Sequence, residues 1–154
     1  MSLMDRFPLP GQTRFFTLRL LRTGSCLLVD HIADLRAAWA AMVAEHPTIC
    51  GAMVVLPDHL HAVLTLPPGP RAVSVRWSQL RRDFAGRVAP EAPETIWQPE
   101  ILIEPLPDAA AVNRALAFCW EAPVRLGLAK HPEDWPYSSL HRDLRIAARR
   151  RMGA

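Results

Sequence analysis

His59 and His61 are the residues of this chain whose type and spacing could do chemistry together. Side chains alternate across an extended strand, so positions two apart project from the same face. Two imidazoles placed this way lie close enough to share one divalent cation. Alone the pattern is common, and such a pair is more often solvated or hydrogen-bonded than metal-bound. Two features favour the functional reading: the pair opens a strand directly after the turn at Pro57 and Asp58, and that strand belongs to the middle of a sheet rather than to a tail.

Other reactive side chains offer less. Cys26, Cys50 and Cys119 form neither a CxxC pair nor an even disulfide set, and each sits in an apolar stretch as a small buried hydrophobe would. Tyr137 is the one tyrosine. The net charge is +3, mildly basic, and of the 18 basic residues all but Lys130 are arginine. Arginine suits bidentate phosphate contact, although a GC-rich genome gives the same bias. The arginines that could meet a phosphate are Arg76, Arg81 and Arg82, then Arg125, then the tail arginines Arg145, Arg149, Arg150 and Arg151. Trp77 invites a base-stacking role, but it shares a helical stripe with Val73, Leu80 and Phe84, which makes it core. Trp39 is core on the same grounds.

These residues need elements to hold them. Arg14 to Leu21 reads as a strand with Phe16, Leu18 and Leu20 on one face. Asp30 caps a helix to about His46, with Ile32, Leu35, Trp39, Met42 and Val43 at helical spacing and Pro47 ending it. Thr48 to Leu56 and His59 to Leu66 follow as two strands joined by a tight turn. In the second of them Leu60, Ala62, Leu64 and Leu66 face away from the histidines and pack on the helices. A second amphipathic helix carries Val73, Trp77, Leu80 and Phe84. After a loop over 89–99 a short strand is expected at Ile101 to Ile103. Asp108 then caps a third helix to about Trp120, stopped by Pro123. Strand–helix–strand–strand–helix–strand is the ferredoxin-like order: an α+β fold with an antiparallel sheet and helices on one face, followed here by a C-terminal helix and tail. Length and composition suit one domain over 1–154, with 143–154 a basic C-terminal segment. No apolar run reaches the roughly 18 residues that span a bilayer. Residues 1–7 carry no signal-peptide core, so a cytoplasmic protein with no membrane partner is expected.

The segment Val54–Leu66 (VVLPDHLHAVLTL) closely resembles the His-hydrophobic-His, or HUH, element of REP-associated tyrosine transposases. Further matches run in order along the chain. Pro10-Gly11 with the strand RFFTLRLL resembles the family's opening strand, and Ile96-Trp97-Gln98 its "WQ" element. Residues 123–128 (PVRLGL) resemble its "NPVKHGL" stretch, and residues 134–139 its "DWPYSS" box. Together they span roughly Pro8 to Arg142 and are far more specific than the histidine pair. The resemblance implies cleavage of single-stranded DNA by a tyrosine hydroxyl, helped by a histidine-bound Mg²⁺ or Mn²⁺ at the scissile phosphate. It also implies a partner: a DNA hairpin with a flanking single strand. Relatives in the wider superfamily often work as dimers that exchange the tyrosine helix, so a homodimer and a monomer both stay open.

The resemblance also shows a loss. The family carries Y-x-x-x-N just before Pro-Val, one helical turn apart, with the Asn completing the metal site. Counted back from Pro123, the Asn position is Ala122 and the tyrosine position is Phe118. A phenyl ring has no oxygen to attack phosphorus, and alanine offers a metal nothing. Tyr137 falls in the DWPYSS box, where a packing role is expected. Glu121, next to the empty ligand position, could turn toward a cation held by His59 and His61; its alternative is a solvated helix-end carboxylate. A two-histidine site holds Mg²⁺ poorly, although Zn²⁺ or Ni²⁺ could bind the imidazoles. The leading reading is a hairpin-DNA-binding protein with cleavage lost and its divalent cation weak or absent. The alternatives are an active transposase with an unrecognised nucleophile and a non-catalytic scaffold on the same fold.

Overall fold

The computed structural model describes residues 12–153. Pro10 and Gly11, part of the opening motif, lie outside the described residues. In chain order the elements are β1 (Thr13–Leu20), α1 (Leu27–Asp30), α2 (Ile32–Glu45), β2 (Ile49–Val55), β3 (His59–Thr65), α3 (Ala72–Val88), β4 (Trp97–Pro105), α4 (Ala109–Arg125) and α5 (Leu140–Gly153). The strands form one antiparallel sheet in the order β2-β3-β1-β4, the ferredoxin-like arrangement expected from the sequence. β3 is central, with Thr17 of β1 opposite His61 and Arg19 opposite His59.

Alternation divides the sheet into two apolar faces. Phe16, Leu18 and Leu20 of β1 join Leu60, Ala62 and Leu64 of β3 on the first. Leu35 and Ala38 of α2 and Trp77, Leu80 and Phe84 of α3 cover them. Ala52 and Val54 of β2 and Val63 of β3 lie on the second face, under Val112, Leu116, Cys119 and Ala122 of α4. The helices of the β-α-β-β-α-β unit thus share one face, and α4 closes over the β2–β3 half of the other.

Several boundaries differ from expectation for identifiable reasons. Asp30 ends α1 instead of capping the long helix, and His31 stands at the start of α2. α1 forms because Leu28 is drawn fully into the core, where its N–H meets the Pro57 carbonyl at 3.2 Å. β4 runs nine residues rather than three and includes Pro99 and Pro105. It is an edge strand, where a missing N–H costs no ladder bond. Asp108 does cap α4, its Oδ1 accepting from the Ala111 N–H at 2.8 Å, but the helix passes through Pro123 to Arg125. The proline removes only the bond to the Cys119 carbonyl. Its own carbonyl accepts from Leu128 at 2.8 Å, and Gly127, at φ +72°, ends the helix as a left-handed cap.

The DWPYSS box latches onto the outer edge of β2. The Val55 N–H bonds the Tyr137 carbonyl at 2.9 Å, Trp135 Nε1 donates to the Val55 carbonyl at 2.9 Å, and Ser138 bridges to Val54. Trp97 is core beside Phe84, Trp120 packs partly buried against the second cluster, and Trp39 is half-buried rather than fully core. Among the described residues no helix is long and apolar enough to cross a membrane.

Candidate functional site

β3 begins at His59 because the Pro57-Asp58 turn is tied on both sides: the Asp58 carbonyl accepts from the Leu20 N–H and the His59 carbonyl from the Leu56 N–H, each at 2.8 Å. The two imidazoles project together from the second face, ring centroids 5.0 Å apart and planes 80° to one another. Each ring is oriented from behind. His59 donates Nδ1–H to Asp58 Oδ1 at 2.7 Å, and Asp58 Oδ2 accepts from the Gly24 N–H at 2.8 Å. Gly24 sits at φ +83°, a conformation open to glycine. Burial alone would raise the Asp58 carboxyl, but the Gly24 N–H and His59 outweigh it and hold it below its ordinary value. His61 Nδ1 shares a hydrogen bond of 2.8 Å with Thr17 Oγ1, and Phe15 stacks on its ring at 5.3 Å. His61 is 7% exposed. Burial first, then the charges of His59, Arg125 and Arg19, pushes its pKa down to about 3, so it is neutral at physiological pH.

Phe118 of α4 stands over this pair. Its ring meets His61 edge-on at 5.3 Å and Phe15 at 5.6 Å, and it is 43% exposed. The Arg125 guanidinium lies 3.9 Å above the Phe118 ring and donates to the Phe118 carbonyl at 3.0 Å. Ala122 is buried against the sheet and presents only a methyl group.

The candidate ligands do not all converge. Glu121 is exposed and lines a groove with Trp120, Pro132, Leu140 and Leu144, so the expectation that it could reach the histidines is corrected. It lies about 100° around the helix from Ala122, toward α5. Among the described residues no group of three or more His, Cys, Asp and Glu side chains could hold a metal ion. Two imidazoles without a carboxylate or carboxamide oxygen do not fit Mg²⁺ or Mn²⁺, which take mainly oxygen ligands.

Of the arginines expected at DNA, Arg125 alone stands at the histidine pair. Arg76 is a correction. It is 4% exposed, and its guanidinium donates to Thr48 Oγ1, the Pro47 carbonyl and the Ala72 carbonyl at 2.9, 2.7 and 2.9 Å, clamping α3 to the loop before β2. Arg81 is half-buried and ties α3 to β4 through the Gln98 and Pro99 carbonyls. Arg82 is exposed, but like Arg81 it belongs to α3, on the face opposite the histidines. Arg145, Arg149, Arg150 and Arg151 lie exposed on α5. The sequence reading missed Arg19, the cross-strand partner of His59. Alternation held the signal: with Phe16, Leu18 and Leu20 inward, Phe15, Thr17 and Arg19 must face the other way.

Other nucleophiles are no better placed. Tyr137 packs against the first core, with Arg36 over its ring at 5.9 Å, so the sheet separates it from His59 and His61. Burial pushes the Cys119 thiol up to about 12 and that of Cys50 up to about 11, which keeps both protonated at neutral pH. Cys26 is exposed, contrary to its expected burial.

No family model matches the chain. It is 32% identical to the REP-associated tyrosine transposase of Escherichia coli (strain K12) over 144 residues, 94% of this chain and 86% of that protein. A Haemophilus influenzae protein with the same family description is 27% identical over 146 residues, 88% of this chain and 83% of its own length. Among solved structures, a REP-associated tyrosine transposase bound to a REP hairpin superposes with a TM-score of 0.81 at 32% identity, covering 88% of this chain and 81% of that one. Identity of that extent, carried on the same backbone, makes this chain a member of the REP-associated tyrosine transposase family.

Proposed function

We propose that this protein binds structured single-stranded DNA, a hairpin with a flanking single strand, and does not cut it. The observation that carries the reading is Phe118: the side chain standing over the histidine pair on α4 is a bare ring, and the chain's one tyrosine is across the sheet. The fold shared with a relative solved on a REP hairpin supports the choice of ligand. Affinity then comes from guanidinium contacts to phosphates, led by Arg125 with help from Arg82 and the α5 arginines, while Arg76 holds the scaffold. Arg81 contributes through its position beside β4. His59 and His61 are the remnant of the family's metal site. The chain acts as one domain in the cytoplasm.

The test is incubation with hairpin DNA carrying a single-stranded flank, in EDTA and in Mn²⁺, read on native and denaturing gels. The expected result is a native-gel complex in both buffers and no covalent adduct in either. An adduct lost in Tyr137→Phe would overturn the reading, as would failure to bind any hairpin at low salt.

A further inference from the structure

What surrounds His59 and His61 suits an anion better than a cation. Arg19 faces His59 across the β1–β3 ladder, and Arg125 is stacked on the ring that abuts His61. Among the described residues neither guanidinium is paired with a carboxylate. The carboxylate nearest the pair, Asp58, is already occupied by His59 Nδ1–H and the Gly24 N–H. A divalent ion entering here would meet two fixed positive charges and no free oxygen ligand. A phosphate would meet two unneutralised guanidiniums.

The donors are also held in place. Arg125 lies over the Phe118 ring with one N–H spent on the Phe118 carbonyl, which tethers the guanidinium and leaves the remaining N–H groups for a ligand. Thr17 Oγ1 can donate to His61 Nδ1, which leaves that ring's proton on Nε2 as a further donor. Alanine at position 122 adds no oxygen to repel an anion.

We infer that Arg19, Arg125 and His61 form a direct, cation-free binding site for a backbone phosphate, occupying the position that the family gives to a metal. The inference rests on the DNA-binding reading for the source of the phosphate; the site itself is a phosphoryl-anion site.

Two measurements on the full chain test it. In the first, anisotropy with hairpin DNA compares EDTA with saturating Mn²⁺. Affinity should agree within about twofold between the buffers, and Arg19→Ala/Arg125→Ala should weaken it at least about tenfold. Arg87→Ala, whose guanidinium is already paired with Asp83, should leave it unchanged. In the second, inorganic phosphate is titrated while the imidazole ¹⁵N resonances are followed. Shifts at His61 that vanish in the double-arginine variant support the site even if no hairpin binds, an outcome that would sink the DNA reading alone. Stoichiometric Mn²⁺ that broadens both histidines and tightens hairpin binding would overturn the inference while leaving DNA binding intact. So would phosphate that leaves His61 unmoved.

Discussion

His61 shows how one buried side chain couples the site to stability. Its pKa is about 3 in the folded chain, against an ordinary 6.5, because burial and neighbouring positive charges disfavour the imidazolium. Between those values the unfolded chain binds the proton and the folded chain does not. The stability His61 contributes is therefore complete above about pH 6.5 and is lost as pH falls toward 3. Unfolding in urea with EDTA present should show stability dropping over that window, by up to about 1.4 kcal/mol per pH unit from this group. His61→Gln should flatten the dependence, and an unchanged profile would refute the assignment. Arg76 makes the complementary point about scaffold residues. Arg76→Ala strands the Pro47 carbonyl and should cost about 2 kcal/mol in urea unfolding, while hairpin affinity of the folded protein stays within about twofold. A large affinity loss without a stability loss would return Arg76 to the DNA surface. Neither fate could be read from the helix alone: position 76 joins the core because a loop 28 residues earlier supplies its acceptors.

At the level of elements, α4 carries Phe118, Ala122 and Arg125, and its N-cap fixes where they fall. Asp108→Ala removes the acceptor for the Ala111 N–H and should destabilise the protein by about 1 kcal/mol, measured by urea unfolding. No change would show that packing against β2 and β3 positions the helix unaided. Asp108 was legible as a cap, as were the strand faces: polar capping and period-two alternation are local rules. The end of α4 was not, since a proline normally marks a stop. Here the helix continues because the Pro123 carbonyl and Gly127 satisfy the last turn. β4 was read too short for a related reason. Proline argues against a central strand, and edge position emerges from sheet order alone.

For the whole molecule, a net charge of +3 is modest, so the proposed DNA binding must rely on where the arginines stand. Arg19 and Arg125 lie on the second face, and the exposed arginines of α5 form a separate basic element. Replacing Arg145, Arg149 and Arg151 by alanine should lower the slope of log affinity against log salt by about 2, at roughly 0.7 to 0.9 per phosphate contact. An unaltered slope would remove α5 from the interface. The amino-acid sequence by itself settled which atoms exist and which way each strand presents them. It determined two imidazoles on one face, a phenyl group at position 118, a methyl group at 122, and the ferredoxin-like order of elements. Only the tertiary structure decided which of those groups meet. It set Arg19 and Arg125 beside the pair, turned Glu121 toward α5, sank Arg76 into the scaffold and put Tyr137 across the sheet. Periodicity acts within a few residues, whereas burial and charge pairing depend on segments brought together from distant parts of the chain.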